Sequence, residues 1–182
     1  MRPFVLTASG RTVHLDDPSP DEIDFGDIAE HLSRLVRFNG AAGGYSVAQH
    51  SCAVMEQFEL GHPLRPYALL HDAHEAYIGD IVAPLAAALP REWRGALNHM
   101  KWKLDQAIYI AAGLNPLEAR AQKFVIEHAD RVVLATEKRD LLPQCEEWYL
   151  PVPPRAEPIG RVLPPRDARS EMLRWFFEYD FC

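Results

Sequence analysis

The chain has 182 residues, 48% of them hydrophobic and 25% charged, a size and balance that suit one folded domain with its own core and exclude a disordered tail or a fibrous repeat. The formal net charge is −7 and five acids fall between Asp21 and Glu30, which argues against a broad basic face for polymeric nucleic acid. Residues 1–15 lack the order of a secretory leader, and no apolar run is long enough to span a membrane, so a cytoplasmic protein with no membrane partner is expected. Cys52, Cys145 and Cys182 form no CxxC pair and read as small apolar fillers in a reducing compartment.

In chain order, Phe4–Thr7 and Thr12–Leu15 flank Ala8-Ser9-Gly10-Arg11, which predicts a short hairpin or arm over residues 1–20. Ile23, Ile28, Leu32, Leu35 and Val36 then keep helical spacing up to Asn39-Gly40. Ser46 predicts an N-cap for a helix running to about Leu60, and a third helix follows Pro66, covering Tyr67 to about Tyr77. Pro84–Leu89 predicts a short helix. Glu92–Ala112 predicts a long one carrying Trp93, Leu97, Met100, Leu104, Ile108 and Ile110. Asn115-Pro116 opens another, to about Leu142. Seven of 15 prolines fall from Pro143 to Pro165, so 143–167 is expected to be irregular, before a C-terminal piece over 168–182 that is helical from about Ala168 to Tyr179. With no strong central strand, a single all-α domain over 1–182 is expected.

The chemistry sits where polar groups interrupt segments that should be buried. In Leu69-Leu70-His71-Asp72-Ala73-His74-Glu75-Ala76-Tyr77, two histidines and two acids stand on a helix whose neighbours are apolar, and such groups are costly to bury without partners. Imidazole and carboxylate are ligands for a divalent transition metal, and adjacent His71 and Asp72, about 100° apart on a helix, can both reach one ion beside it. Glu75 stands one turn after His71 and can handle protons without coordinating. His50 lies on the preceding helix, which as an antiparallel neighbour can deliver it to His71. Asp130, in His128-Ala129-Asp130-Arg131, is flanked one turn either way by Ile126, Val133 and Leu134. An acid on that stripe needs a partner, either a cation at the site or Arg131 or Arg120.

The ordered set His50, His71-Asp72, Asp130 resembles the metal-binding signature of the HD-domain phosphohydrolases, an all-α superfamily whose four ligands come from three helices. Ser46-Val47-Ala48-Gln49-His50-Ser51, His71-Asp72-Ala73-His74-Glu75 and Gly79-Asp80 further resemble stretches of its bacterial 5′-deoxynucleotidase branch and phage-encoded relatives. The resemblance covers about Asp27 to Leu142. It implies an HD-type helical fold in which His50, His71, Asp72 and Asp130 hold one divalent transition metal (cobalt, manganese, zinc or iron), with magnesium accompanying a triphosphate substrate. It further implies that Glu75 assists water attack, that Asp80 recognises deoxyribose, and that Arg37-Phe38 contacts phosphate and sugar, phenylalanine standing where the branch has tryptophan. The lysine that the branch often carries after Gly-Asp is absent from Ile81-Val82-Ala83-Pro84-Leu85.

On that resemblance the expected activity is hydrolysis of 2′-deoxynucleotides, either monophosphate to deoxynucleoside and phosphate or triphosphate to deoxynucleoside and triphosphate. A cyclic-nucleotide or dinucleotide phosphodiesterase and a non-enzymatic metal-bound nucleotide sensor are the alternatives. His74 can contact phosphate, orient a ligand or lie on the helix surface. Asp80 can instead cap a helix beginning near Ile81. Arg34 is read as a salt-bridge partner of the acidic helix start, and Glu127 and Glu137 as solvated or salt-bridged. Thr136–Leu142 is read as a charged helix end. The terminal Trp175, Phe176, Phe177, Tyr179 and Phe181 cannot share one helix stripe, which leaves some for the proline-rich segment or another subunit and makes a homo-oligomer the expected state.

Overall fold

A computed structural model describes residues 2–182; Met1, the first residue of the expected arm, lies outside them. The architecture is all-α with a short N-terminal hairpin. Strands β1 (Phe4–Leu6) and β2 (Thr12–His14) pair antiparallel with Val5 opposite Val13. Gly10, at φ 87°, makes the reversal. The hairpin is pinned to the helical body: the N–H and hydroxyl of Ser9 donate to Asp27 at 2.8 and 2.6 Å, and Val13 is wholly buried.

Helix α1 (Phe25–Arg34) is capped by Asp24, which accepts from the Asp27 N–H, and buries Phe25, Ile28, Ala29 and Leu32. The sequence pattern carries this helix on through Val36, but it ends at Arg34. Leu35 is extended, Val36 bridges to Ser46, and Phe38 and Asn39 are left-handed. In this extended stretch Leu35 packs against the core while Val36, on the opposite face, is exposed.

Helix α2 (Val47–Met55) starts at Ser46, whose hydroxyl accepts from Gln49 N at 3.2 Å. All but one of its residues are buried, which makes it the central helix, packed on α1, on α3 (Arg65–Leu69), on α8 (Lys123–Leu141) and on α9 (Pro165–Glu178). It stops at Met55, short of Leu60, in turns closed by Gln57 N to Val54 O and Phe58 N to Met55 O.

The expected helix from Tyr67 to Tyr77 is in fact two, α3 and α4 (Glu75–Ile78), with Leu70–His74 between them. Here the bonds run three residues back: Ala73 N to Leu70 O, Glu75 N to Asp72 O, Ala76 N to Ala73 O. At about three residues per turn, side chains three apart eclipse. That pairs Asp72 with Glu75, where an α-helix would have paired His71 with Glu75.

Helices α5 (Ala83–Ala88) and α6 (Arg91–Ala111) follow. No α5 residue is buried, and α6 buries only Leu104, Ala107, Ile108 and Tyr109. Trp93 and Ile110, expected on its apolar side, are exposed. The predicted helix from Asn115 to Leu142 breaks at Gln122 into α7 (Pro116–Ala121) and α8.

The proline-rich stretch is irregular as expected, and the end of α8 holds it. Arg155 N donates to Thr136 Oγ1, Lys138 Nζ to Trp148 O, Arg139 to Arg155 O, and Ile159 N to Asp140. Thr136–Asp140 is therefore a clasp. The terminal aromatics close on α1: Phe25 meets Phe176 and Phe181 at 5.4 and 5.2 Å, leaving Phe177 exposed. No helix among the described residues is long and apolar enough to cross a membrane.

Candidate metal centre

Three segments converge. Helix α2 brings His50, the tight turn between α3 and α4 brings His71 and Asp72, and α8 brings Asp130. His50 Nε2 lies 3.1 Å from Asp130 Oδ1 and 3.7 Å from Asp72 Oδ2, and His71 Nε2 lies 3.1 Å from Asp72 Oδ2. His50, His71 and Asp72 each place a donor atom within 4.8 Å of the others. His50, His71 and Asp72 are thus brought together, and Asp130 joins them through His50 without being one of the three mutually close donors. Neither Arg131 nor Arg120 pairs with Asp130 among the described residues.

The histidines are oriented from behind. His50 Nδ1 is 2.6 Å from Glu137 Oε1, and His71 Nδ1 is 2.8 Å from the Ala68 carbonyl oxygen. Each acceptor holds a proton on Nδ1, the second contact that metal-ligating imidazoles normally make, so a bound cation would meet the Nε2 lone pair. His50 Nε2 and His71 Nε2 are buried with no hydrogen-bond partner. Two orphaned nitrogens beside two carboxylates form a mixed N/O set that fits a divalent transition metal better than an oxygen-only cation.

The surrounding charges agree. Burial opposes the charge on His71, but Asp72 outweighs it and lifts the imidazole to about 9; His50 is raised too, Glu137 and Asp130 prevailing over burial and Arg37. Burial likewise opposes the charges of Asp72 and Asp130, which their histidine partners nevertheless hold below the usual carboxylate range. Without a metal the cluster holds protons where a cation would serve.

Glu75, at the start of α4, is 6% exposed, and its Oε2 has no partner. Burial, then the charges of Asp72 and Asp80, push its carboxyl up to about 9, which makes it a protonated acid poised for proton transfer. Its donor oxygen, one from Asp72 and one nitrogen of His74 form a second group within 4.8 Å of one another. His74 is 5% exposed rather than on the helix surface. Its Nδ1 meets Asp105 at 2.8 Å and its Nε2 is unpartnered.

Arg37 reaches in from the loop before α2. Its Nη2 donates to Glu137 Oε2 at 3.1 Å, and its Nη1 lies 3.9 Å from Asp72 Oδ2. Burial works against its charge, but Glu137, Asp72 and Asp130 keep it firmly protonated. Phe38 is not among the donors; its ring lies 5.2 Å from the Arg37 guanidinium and edge-on to Trp148 at 6.2 Å. Asp80 follows Gly79, whose φ of 80° ends α4, and is half-buried with its carboxyl raised by burial. It does not cap a helix, since α5 begins at Ala83 with no side-chain cap. Arg34 pairs with Glu30 and Glu127 with Lys123, both on the surface as expected.

Sequence reasoning missed Glu137 and Asp105. Glu137 is wholly buried and joins His50 to Arg37, so of the two expected roles, solvated or salt-bridged, it has the second. It lies seven residues, two helical turns, after Asp130 and so on the same face, a stripe it shares with Glu127, and that spacing alone does not name its partners. Asp105 carries no comparable signal, because it lies on α6, 31 residues from His74, and only the tertiary fold brings the two together.

No family model matches the chain. It is 36% identical over 132 residues to the uncharacterized protein RCAP_rcc00048 of Rhodobacter capsulatus, covering 68% of this chain and 65% of that one. It is 40% identical over 141 residues to the uncharacterized protein YfdR of Escherichia coli, covering 76% of this chain and 72% of YfdR. At that identity and coverage the chain belongs to the family of YfdR.

Proposed function

We propose that the protein is an HD-type, metal-dependent phosphohydrolase acting on 2′-deoxynucleotides. One observation carries the reading: two buried histidines, each held from behind at Nδ1, turn unpartnered Nε2 atoms toward Asp72 and Asp130. A divalent cation held by His50, His71, Asp72 and Asp130 supplies Lewis acidity toward a phosphoryl oxygen and lowers the pKa of water. Glu75, protonated beside Asp72, would give its proton to the leaving oxygen and take back the proton of the attacking water. Arg37, fixed by Glu137, balances phosphate charge. Asp80 accepts a hydrogen bond from the 3′-hydroxyl, and a pocket closed on that contact leaves a 2′-hydroxyl crowded and unpaired.

The test is a phosphate-release screen of metal-loaded protein across matched deoxy- and ribonucleotides, repeated with Asp80→Ala. Deoxynucleotides should be preferred, and the preference should shrink in the variant. Equal use of both sugars by the wild type removes the substrate class.

The second donor group, Asp72, His74 and Glu75, favours one other reading, a two-metal phosphodiesterase. Two ions per chain together with cleavage of a cyclic nucleotide in the same screen would select it.

A further inference from the structure

Residues 155–163 of the proline-rich stretch cross directly from α8 to α2. At the α8 end, Arg155 N donates to Thr136 Oγ1 at 3.0 Å and Ile159 N donates to Asp140 Oδ2 at 2.8 Å. At the α2 end, Gln49 uses both halves of its amide: Leu163 N donates to its Oε1 at 3.0 Å, and its Nε2 donates to Arg161 O at 2.9 Å. Two of these anchors are next in sequence to the pair that joins the same helices inside, since Gln49 precedes His50, Thr136 precedes Glu137, and His50 Nδ1 lies 2.6 Å from Glu137 Oε1. The segment therefore ties α2 to α8 alongside the buried joint. Ile159 is buried and Val162 and Leu163 pack at the core's edge. Between these points a cavity of about 290 Å³ separates the segment from α2 and α9, with Gln49, Ala53 and Glu171 on one side and Arg155 and Arg161 on the other. Where packing is incomplete and hydrogen bonds share in the seat, local opening costs little. Pro153, Pro154, Pro158 and Pro164 fix the backbone angle at four positions in and beside the segment, so it lifts and reseats as a stiff unit.

Resting on the reading of His50 as a metal ligand, we propose that residues 155–163 are a brace for the metal centre and that Gln49 is its positioning residue. Seated, the brace holds α2 against α8 and keeps Glu137 on His50 Nδ1, the contact that fixes the orientation of a ligating imidazole. Lifted, it releases Gln49 and Thr136, and His50 and Glu137 gain freedom that a bound cation must then remove. Linkage makes the effect reciprocal: a cation on His50 favours the seated brace, and the seated brace raises affinity for the cation. The proline-rich stretch lies outside the part of the chain that resembles HD-domain proteins, and the brace gives it a share in the site.

Hydrogen exchange at the amides of Arg155, Ile159 and Leu163 reads the brace directly, because each donates to an anchoring side chain. Zinc-saturated protein should exchange all three at least about fivefold more slowly than metal-free protein, the lower end of ordinary coupling between sites. The Ser9 N–H, which ties the N-terminal hairpin to Asp27, should exchange at the same rate in both. Gln49→Ala removes two hydrogen bonds and should weaken zinc binding, read by competition against a chelator, about three- to tenfold. Ser9→Ala removes a 2.6 Å contact of the hairpin and should leave zinc affinity unchanged, which separates positioning from general destabilisation. Equal exchange with and without zinc, wild-type zinc affinity in Gln49→Ala, or an equal loss in Ser9→Ala overturns the brace and leaves the ligand assignment standing. If His50→Ala binds zinc as tightly as the wild type, the ligand assignment falls and the brace falls with it.

Discussion

Glu137→Ala probes the link between His50 and Arg37, the residues proposed to hold the metal and to face phosphate. The carboxylate is wholly buried, accepts from His50 Nδ1 at 2.6 Å and accepts from Arg37 Nη2 at 3.1 Å. Alanine leaves both donors buried without an acceptor and the arginine charge without its nearest counter-ion. Removing one partner of a buried charged pair costs about 3–5 kcal/mol. In a domain of this length that lowers Tm by roughly 6–20 °C. His50 also loses the acceptor that sets its tautomer, so metal affinity should fall about 10–100-fold. Glu137→Gln keeps the shape but turns an NH₂ group toward one of the two donors, and should cost about 1–3 kcal/mol. Urea unfolding of metal-free protein and competition against a chelator read the two effects separately. An alanine variant within about 1 kcal/mol of wild type and with undiminished metal affinity would refute the reasoning.

His71→Ala and Asp72→Ala should each abolish metal retention and turnover; full occupancy in both, measured by elemental analysis, removes the ligand assignment. Glu75→Ala should keep one ion per chain yet lose about 10²–10⁴-fold in rate if Glu75 moves protons, while near-wild-type turnover would shift that role to His74. Metal-free protein should lose stability as pH rises. His71 is raised from an ordinary 6.5 to about 9, so its contribution is complete below about 6.5 and lost through about 9, up to about 3 kcal/mol. Glu75, also raised to about 9, pushes the same way. Urea midpoints that stay flat or rise over that interval contradict this, and bound metal should flatten the slope by replacing the proton.

The sequence by itself determined the helical class and the ionisable residues that cluster at the candidate site. Apolar residues at helical spacing, Ser46 and Asn115 as caps, and the prolines after Leu142 are local signals, readable because each acts within a turn or two of chain. His50, His71, Asp72 and Asp130 were legible because an ionisable group among apolar neighbours announces a partner. Tertiary structure decided the rest. Leu70–His74 abandons the α-helix for tighter turns although its residues keep helical spacing, and this moves Glu75 from His71 to Asp72. Glu137 looks like any charged residue near a helix end until α2 and the Arg37 loop close over it. Asp105 reaches His74 only through the tertiary fold. Burial depends on what lies across the core, and one chain segment carries no record of its distant neighbours.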